Sequence, residues 1–174
     1  FSISNKGVLP VKFFRLRPPN FPTIRLAQLA DLYSRCSNLF SNIIEAQSLE
    51  QLHAIFEGGT SKFWDTHYTF DKTSKSTTKT LTKAFINLLI INTIIPIKFA
   101  FNKFNRQSKH EDVVGIMRKI PMEHNSIVDK FHTLYAFGKT ALDSQALIQL
   151  KQNYCSKNKC LQCAIGSALM NRNS

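Results

Sequence analysis

A bundle of about seven α-helices behind an extended N-terminal arm follows from three observations. Gly and Pro number only six each in 174 residues, too few for the turns of a many-stranded β-sandwich. Apolar residues recur at helical spacing in block after block from position 22 onward. The run from Ala84 to Phe101 is apolar on nearly every face, the pattern of a helix buried nearly all round. With 43% hydrophobic residues and fourteen Phe, the chain can build an aromatic-rich core, and its length suits one domain.

Residues 1–19 read as the arm. Pro10, Pro18 and Pro19 disallow helix, and Lys12, Arg15 and Arg17 alternate with Phe14 and Leu16 as in a strand. Residues 20–174 then read as a single helical domain. Asn20 can cap the first helix, with Pro22 in its first turn. Ile24, Leu26, Ala27, Leu29, Ala30 and Tyr33 form its apolar stripe, to about Ser34. A second short helix is expected at 37–46. The third follows Ser48, with Leu49, Leu52, Ile55 and Phe56 at helical spacing and Glu50 and Glu57 outward, until Gly58-Gly59 ends it. Residues 60–79 are the least regular. Trp64 and Tyr68 are expected to hold that segment down against helices, and 71–79 is a polar loop.

The longest helix is expected within 80–105, burying Phe85, Leu88 and Leu89. Pro96 lacks an N–H and clashes with the carbonyl of Asn92, which predicts a kink or break. Asn87, Asn92, Thr93, Pro96 and Lys98 interrupt the run. Its apolar blocks are therefore too short for a bilayer, and the reading is a core helix with no membrane. Helices at about 109–119, 124–137 and 143–156 follow, punctuated by Pro121 and Gly138, and a last one covers 161–170. The chain opens on Phe1-Ser2-Ile3-Ser4, without initiator Met, charged n-region or cleavage site. It reads as a piece of a longer cytoplasmic protein whose four cysteines stay reduced.

The net charge of +12 points to an anionic partner: nucleic acid, anionic lipid or an acidic protein surface. The bland reading is a solubilising role, or balance by an acidic second domain. Arg15, Arg17 and Arg25 are the sharpest basic group. Their forks match phosphate or carboxylate; as an internal clamp, Arg17 or Arg25 would instead bond carbonyls or a carboxylate such as Asp143. Lys98, Phe99, Phe101, Lys103, Phe104, Arg106 and Lys109 interleave bases and rings. That pattern can stack on single-stranded nucleic acid, or place Phe in the core and Lys on the wet face of one helix. The candidate nucleic-acid or anion-binding residues are Arg15, Arg17, Arg25, Lys98, Lys103 and Arg106.

Cys155, Cys160 and Cys163 have the spacing of the first three cysteines of a plant-type ferredoxin and also fit zinc-like spacing. Either cofactor needs a fourth ligand, and none follows in the eleven residues left; Cys36, His124 or His132 could supply one through the fold. Lys157 and Lys159 favour thiolates, which admits a redox role. Plain packing of small apolar thiols is the third reading. The expectation is that the three lie near one another, reduced and mostly packed, with no cofactor.

Asp65 and His67 share a face if extended, as an acid–base pair would, or belong to a turn that Trp64 anchors. His110-Glu111-Asp112 and Glu123-His124-Asn125 sit near helix starts, where acidic groups suit the dipole. There is no HExxH, P-loop, GxSxG, GxGxxG or Glu-x-Lys. No catalytic residue is assigned, and no complete active site is visible.

Four stretches carry a resemblance: 15–30 (Arg15-Leu16-Arg17-Pro18-Pro19-Asn20-Phe21-Pro22 and on to Ala30), Phe63-Trp64-Asp65-Thr66-His67-Tyr68-Thr69-Phe70, Ile91-Asn92-Thr93-Ile94-Ile95-Pro96, and Ser144-Gln145-Ala146-Leu147 on to Gly166. Together they resemble the bacterial domain-of-unknown-function family DUF2851. The resemblance implies a longer protein whose N-terminal half carries acidic and His-rich motifs similar to a restriction-nuclease-like core. This chain would be the C-terminal helical half. It would be a non-catalytic basic module that binds nucleic acid or positions substrate for that half. The alternative is a structural or protein-interaction module with no ligand of its own.

Overall fold

The computed structural model describes Lys12, Leu16 and residues 20–106 and 110–171, without the side chains of 110 and 111. The expected arm therefore lies outside the described residues, except for Lys12 and Leu16, which are exposed. The fold is all-α apart from one small hairpin. Nine α-helical segments stand among the described residues, and two of them are parts of one continuous helix. Where the sequence suggests one domain after the arm, contacts divide the chain into two compact units. One runs to Ala46 and adds Glu50–Ile86; the other takes Gln47–Leu49 and everything from Asn87.

In the first unit, helix α1 (Pro22–Arg35) starts at Phe21, whose extended backbone leads into Pro22. Pro22 sits where a missing N–H costs least. Asn20 does not cap it; its side chain accepts from Arg25 instead. The buried stripe is Ile24, Gln28 and Leu32, an i, i+4, i+8 line. Of the expected stripe only Ile24 is buried, while Leu26, Leu29 and Tyr33 face out. Helix α2 (Leu39–Glu45) buries Ile43. Helix α3 (Leu49–Phe56) buries Leu52 and Phe56 and turns Glu50 outward, as its spacing predicts.

The least regular stretch holds more structure than expected. A 3-10 turn at Lys62–Asp65 leads into an antiparallel hairpin, β1 (His67–Thr69) with β2 (Lys72–Thr73), bulged between His67 and Thr69. Strands this short show no alternation to read. Trp64 packs edge-on against Phe63 and Phe70 of the same segment, at 5.1 and 5.2 Å between ring centroids. Tyr68 makes the contact outward, edge-on to Phe21 at 5.5 Å.

The longest described helix spans Lys83–Phe104, 22 residues. It comprises α4 (Lys83–Leu89), a π turn (Ile90–Ile94) and α5 (Ile95–Phe104). Its position is the expected one, but its inward face is not. Ile86, Ile90, Ile94, Lys98 and Asn102 are buried, every fourth residue, with Ile91 beside them. Phe85 and Leu89 are half-buried and Leu88 is exposed. In a regular α-helix each four-residue step drifts about 40°, so such a line would wind off its face. The wider turn at Ile90–Ile94 takes back part of that drift. Pro96 then falls at the start of α5, so the helix continues through a π turn without breaking.

This helix is not buried all round. Only 28% of its most apolar window is buried, and by length and composition it is long and apolar enough to cross a membrane. Ile97, Phe99 and Phe104 are exposed, the last at 87%.

In the second unit, helix α6 (His110–Lys119) buries Val113, Ile116 and Met117 and ends on Arg118 and Lys119, which suit the negative end of the dipole. Helix α7 (Ser126–Leu134) begins under Asn125, whose side chain accepts from the N–H groups of Ile127 and Val128, both at 3.0 Å. It stops earlier than expected because Tyr135 is extended. Helix α8 (Ala141–Asn153) opens on a capping box. Thr140 is the cap, and Asp143 reaches back to it rather than capping the helix itself. Ala141 N–H to Ile120 O at 2.8 Å and Met122 N–H to Lys139 O at 2.9 Å tie this start to the end of α6. Two 3-10 turns follow, Cys155–Lys157 and Cys160–Gln162, joined through left-handed Asn158 (φ 52°). Helix α9 (Ala164–Asn171) follows and has no fully buried residue.

Candidate functional site

Arg15 and Arg17 lie outside the described residues. The fork of Arg25 is occupied from within its own unit. Nη1 donates to Gln28 Oε1 at 2.9 Å and Nη2 to Asn20 Oδ1 at 2.7 Å, while the guanidinium lies 3.6 Å from the centre of the Phe85 ring. Desolvation lowers its pKa below the ordinary arginine value, and it stays cationic. This is the geometry of the internal clamp, although its partners are two amides and a ring. Asp143 takes no part; its carboxylate is held by Thr140.

Beside this clamp sits a cation that the sequence did not single out. Lys79 is buried, and its Nζ donates to Asp65 O at 2.9 Å and Thr77 O at 3.2 Å, 4.3 Å from the centre of the Tyr68 ring. Gln28 Nε2 donates to Lys79 O at 3.1 Å, and Thr23 Oγ1 to Tyr68 O at 2.5 Å. Stretches 15–30 and 63–70 thus meet through α1 and the hairpin. In sequence Lys79 is one more lysine in a Ser/Thr/Lys-rich loop, and no pattern marks it as inward-facing. Asp65 and His67 serve the same turn. The Asp65 carbonyl also receives Thr77 N–H at 2.8 Å. The His67 ring stacks on Phe63 at 4.0 Å, with Nδ1 2.9 Å from Phe63 O. The same nitrogen lies 3.0 Å from Thr66 Oγ1, which ties the ring into the turn.

The basic-aromatic stretch is turned inside out relative to its expected packing. Lys98 is 5% exposed and lies on the inward face with Asn102. Phe99 and Phe104 face outward. Lys103 and Arg106 are exposed, and Arg106 takes the left-handed conformation (φ 53°) just past the end of α5. Of the six candidate anion-binding residues, only these two hold a cation at the described surface without a described partner.

The cysteines are free thiols. Cys163 is buried, whereas Cys155 and Cys160 are exposed, so the expected packing holds for one of the three. Among the described residues no group of three or more His, Cys, Asp or Glu could hold a metal ion. The proposed fourth ligands are engaged locally. Cys36 Sγ accepts from Asn42 Nδ2 at 3.0 Å, His124 pairs with Asp129 at 3.5 Å, and His132 Nε2 lies 2.9 Å from Met122 Sδ.

A feature with no sequence signal lies along α7. A groove of about 210 Å³ is lined by Ser126, Ile127, Lys130, Phe131 and Leu134 of α7 and Lys151 of α8. Its floor is apolar, and both lysines are exposed.

The model of a family described as "Protein of unknown function (DUF2851)" matches residues 1–126. The match ends as α7 begins, so stretch 144–166, part of the resemblance, falls beyond it. No curated protein and no solved structure matches the chain.

Proposed function

The chain belongs to the DUF2851 family, and we propose that this helical segment is a non-catalytic interaction module that docks against an acidic protein surface. The carrying observation is that its helices leave apolar stripes outward at helical spacing. Leu26, Leu29 and Tyr33 form one on α1, and Ile165 and Leu169 form one on α9. Contiguous exposed apolar surface on a folded domain marks interaction sites. The surplus of cations supplies the sign of the partner. In this reading the partner is protein, such as a catalytic half whose substrate the module helps to position.

A second reading rests on a separate observation. The +12 charge and the exposed Lys103 and Arg106 favour nucleic acid. Salt separates the two. Phosphate binding releases counterions and weakens about 10³–10⁵-fold between 50 and 200 mM salt when six to ten phosphates are contacted. Apolar docking is far less sensitive. We would titrate the protein with a labelled acidic amphipathic helix, a DNA duplex and a single strand across that range. The interaction reading expects peptide binding to outlast nucleic-acid binding as salt rises. Tighter nucleic-acid binding at every salt concentration would put the second reading in its place.

A further inference from the structure

We propose that the groove beside α7 seats an amphipathic acidic helix of a partner protein, its apolar side chains over Ile127, Phe131 and Leu134 and its carboxylates on Lys130 and Lys151. The inference rests on the interaction-module reading and locates one of its sites. Size argues first. At about 210 Å³ the groove falls below small-molecule pockets, which run from about 300 to 1,000 Å³. It suits one or two large side chains inserted from a helix, the usual anchoring of a helix in a groove.

Charge argues next. Lys130 and Lys151 make no ion pair among the described residues. From residue 130 onward the chain carries Lys130, Lys139, Lys151, Lys157, Lys159 and Arg172 against Asp143 alone. That carboxylate already accepts from the Thr140 hydroxyl at 2.6 Å and the Thr140 N–H at 3.0 Å. Asp129, next to Lys130 on α7, faces His124 at 3.5 Å, so positive charge stays in surplus along the groove and favours an anionic occupant.

The floor is also held in place. Phe137 packs edge-on against Phe131 at 6.1 Å and against Tyr135 at 5.4 Å. A ring already fixed loses little freedom on binding. Leu134, 79% exposed, and exposed Tyr135 carry the apolar surface past the end of α7. Ile127 and Leu134 offer no donors or acceptors to bases, which favours a peptide over a nucleic-acid strand.

The test uses a short labelled helical peptide with Leu at i, i+4 and i+7 and Glu beside them. Its Glu→Gln version, its Leu→Ala version and a single-stranded oligonucleotide are the controls. Lys130→Glu with Lys151→Glu, and separately Leu134→Glu, change exposed side chains, and circular dichroism checks that both fold. Each should weaken the peptide at least about tenfold, as like charge or a stranded carboxylate does at an interface. Both control peptides should bind more weakly than the parent, and methyl signals of Ile127 and Leu134 should shift on titration. If these variants bind normally while Leu169→Glu abolishes binding, the groove is wrong and the module reading stands. If the wild type binds no peptide at any salt, both fall. If the oligonucleotide displaces the peptide and shifts the same methyls at lower concentration, the occupant is nucleic acid and the proposal is overturned.

Discussion

Asp143 shows how one side chain can carry a pH dependence. The Thr140 hydroxyl, then the Thr140 N–H, and more weakly the Arg118 charge hold its carboxyl below the usual carboxylate value, against a small opposing desolvation. The folded group releases its proton more readily than the unfolded one. Its stabilisation is therefore complete above the unfolded value, near pH ~3.9, and vanishes as pH falls through the lower folded value. Asp143→Asn should be less stable than wild type at neutral pH, with the gap closing below about pH 4; urea titrations at several pH values measure it. An unchanged gap at acid pH would mean that the carboxylate is not the active form. Lys79 makes the complementary case, a buried cation whose hydrogen bonds go to carbonyls. Lys79→Met keeps the stem but strands the Thr77 carbonyl, and should cost about 1–3 kcal/mol in denaturant unfolding. Neither role was legible in sequence. The sequence places the start of this helix at Asp143, when Thr140, three residues earlier, holds the cap position. For Lys79, Arg25 and Lys98, composition gives the charge, but only the tertiary partner decides whether a cation faces water, an amide or a ring.

At the level of elements, helix positions were more legible than helix faces. Period and punctuation locate α3 and the long helix Lys83–Phe104 close to where they stand. Periodicity shows that a helix has apolar residues, but a helix apolar on two sides does not declare which side meets the core. Hence Leu26, Leu29 and Leu88 were expected inward and lie outward. A π turn also shifts every later residue, which a 3.6-residue template misses. The groove along α7 needs two elements to exist at all, so no single stretch encodes it. Close approach between elements is testable at Gly166. A Cβ there would overlap the Cys160 carbonyl, which is backbone and cannot swing aside. Gly166→Ala should destabilise the chain by about 1–3 kcal/mol, the cost of overpacking, whereas Gly115→Ala, with open space around it, should not lose stability. Equal melting temperatures for the two variants would mean that α9 does not sit on the Cys160–Gln162 turn as described.

For the whole molecule, two quantities oppose each other, a net charge of +12 and apolar side chains left outward on α1, α9 and the long helix. Like charge keeps copies apart; exposed apolar stripes draw them together. Which wins depends on screening. The Debye length is about 10 Å at 0.1 M salt and about 3 Å at 1 M. At the lower value the repulsion between two such surfaces still acts across the gap at contact distance, and at the higher it is nearly gone. Apolar attraction does not weaken in the same way. Self-association of the isolated chain should therefore rise with salt, opposite to binding of an anionic partner, which salt weakens. Raising pH toward the isoelectric point near 9.8 removes the charge by another route and should act in the same direction. Sedimentation velocity at a fixed protein concentration, from 0.05 to 1 M sodium chloride, reads this directly. Leu26→Glu with Leu169→Glu should reduce the rise, because both changes interrupt the outward stripes of α1 and α9 and fall on residues already exposed to water. A sedimentation coefficient that stays constant with salt in the wild type would mean that the stripes are too small to act as contacts. A rise equally large in the double variant would place the contact elsewhere on the surface.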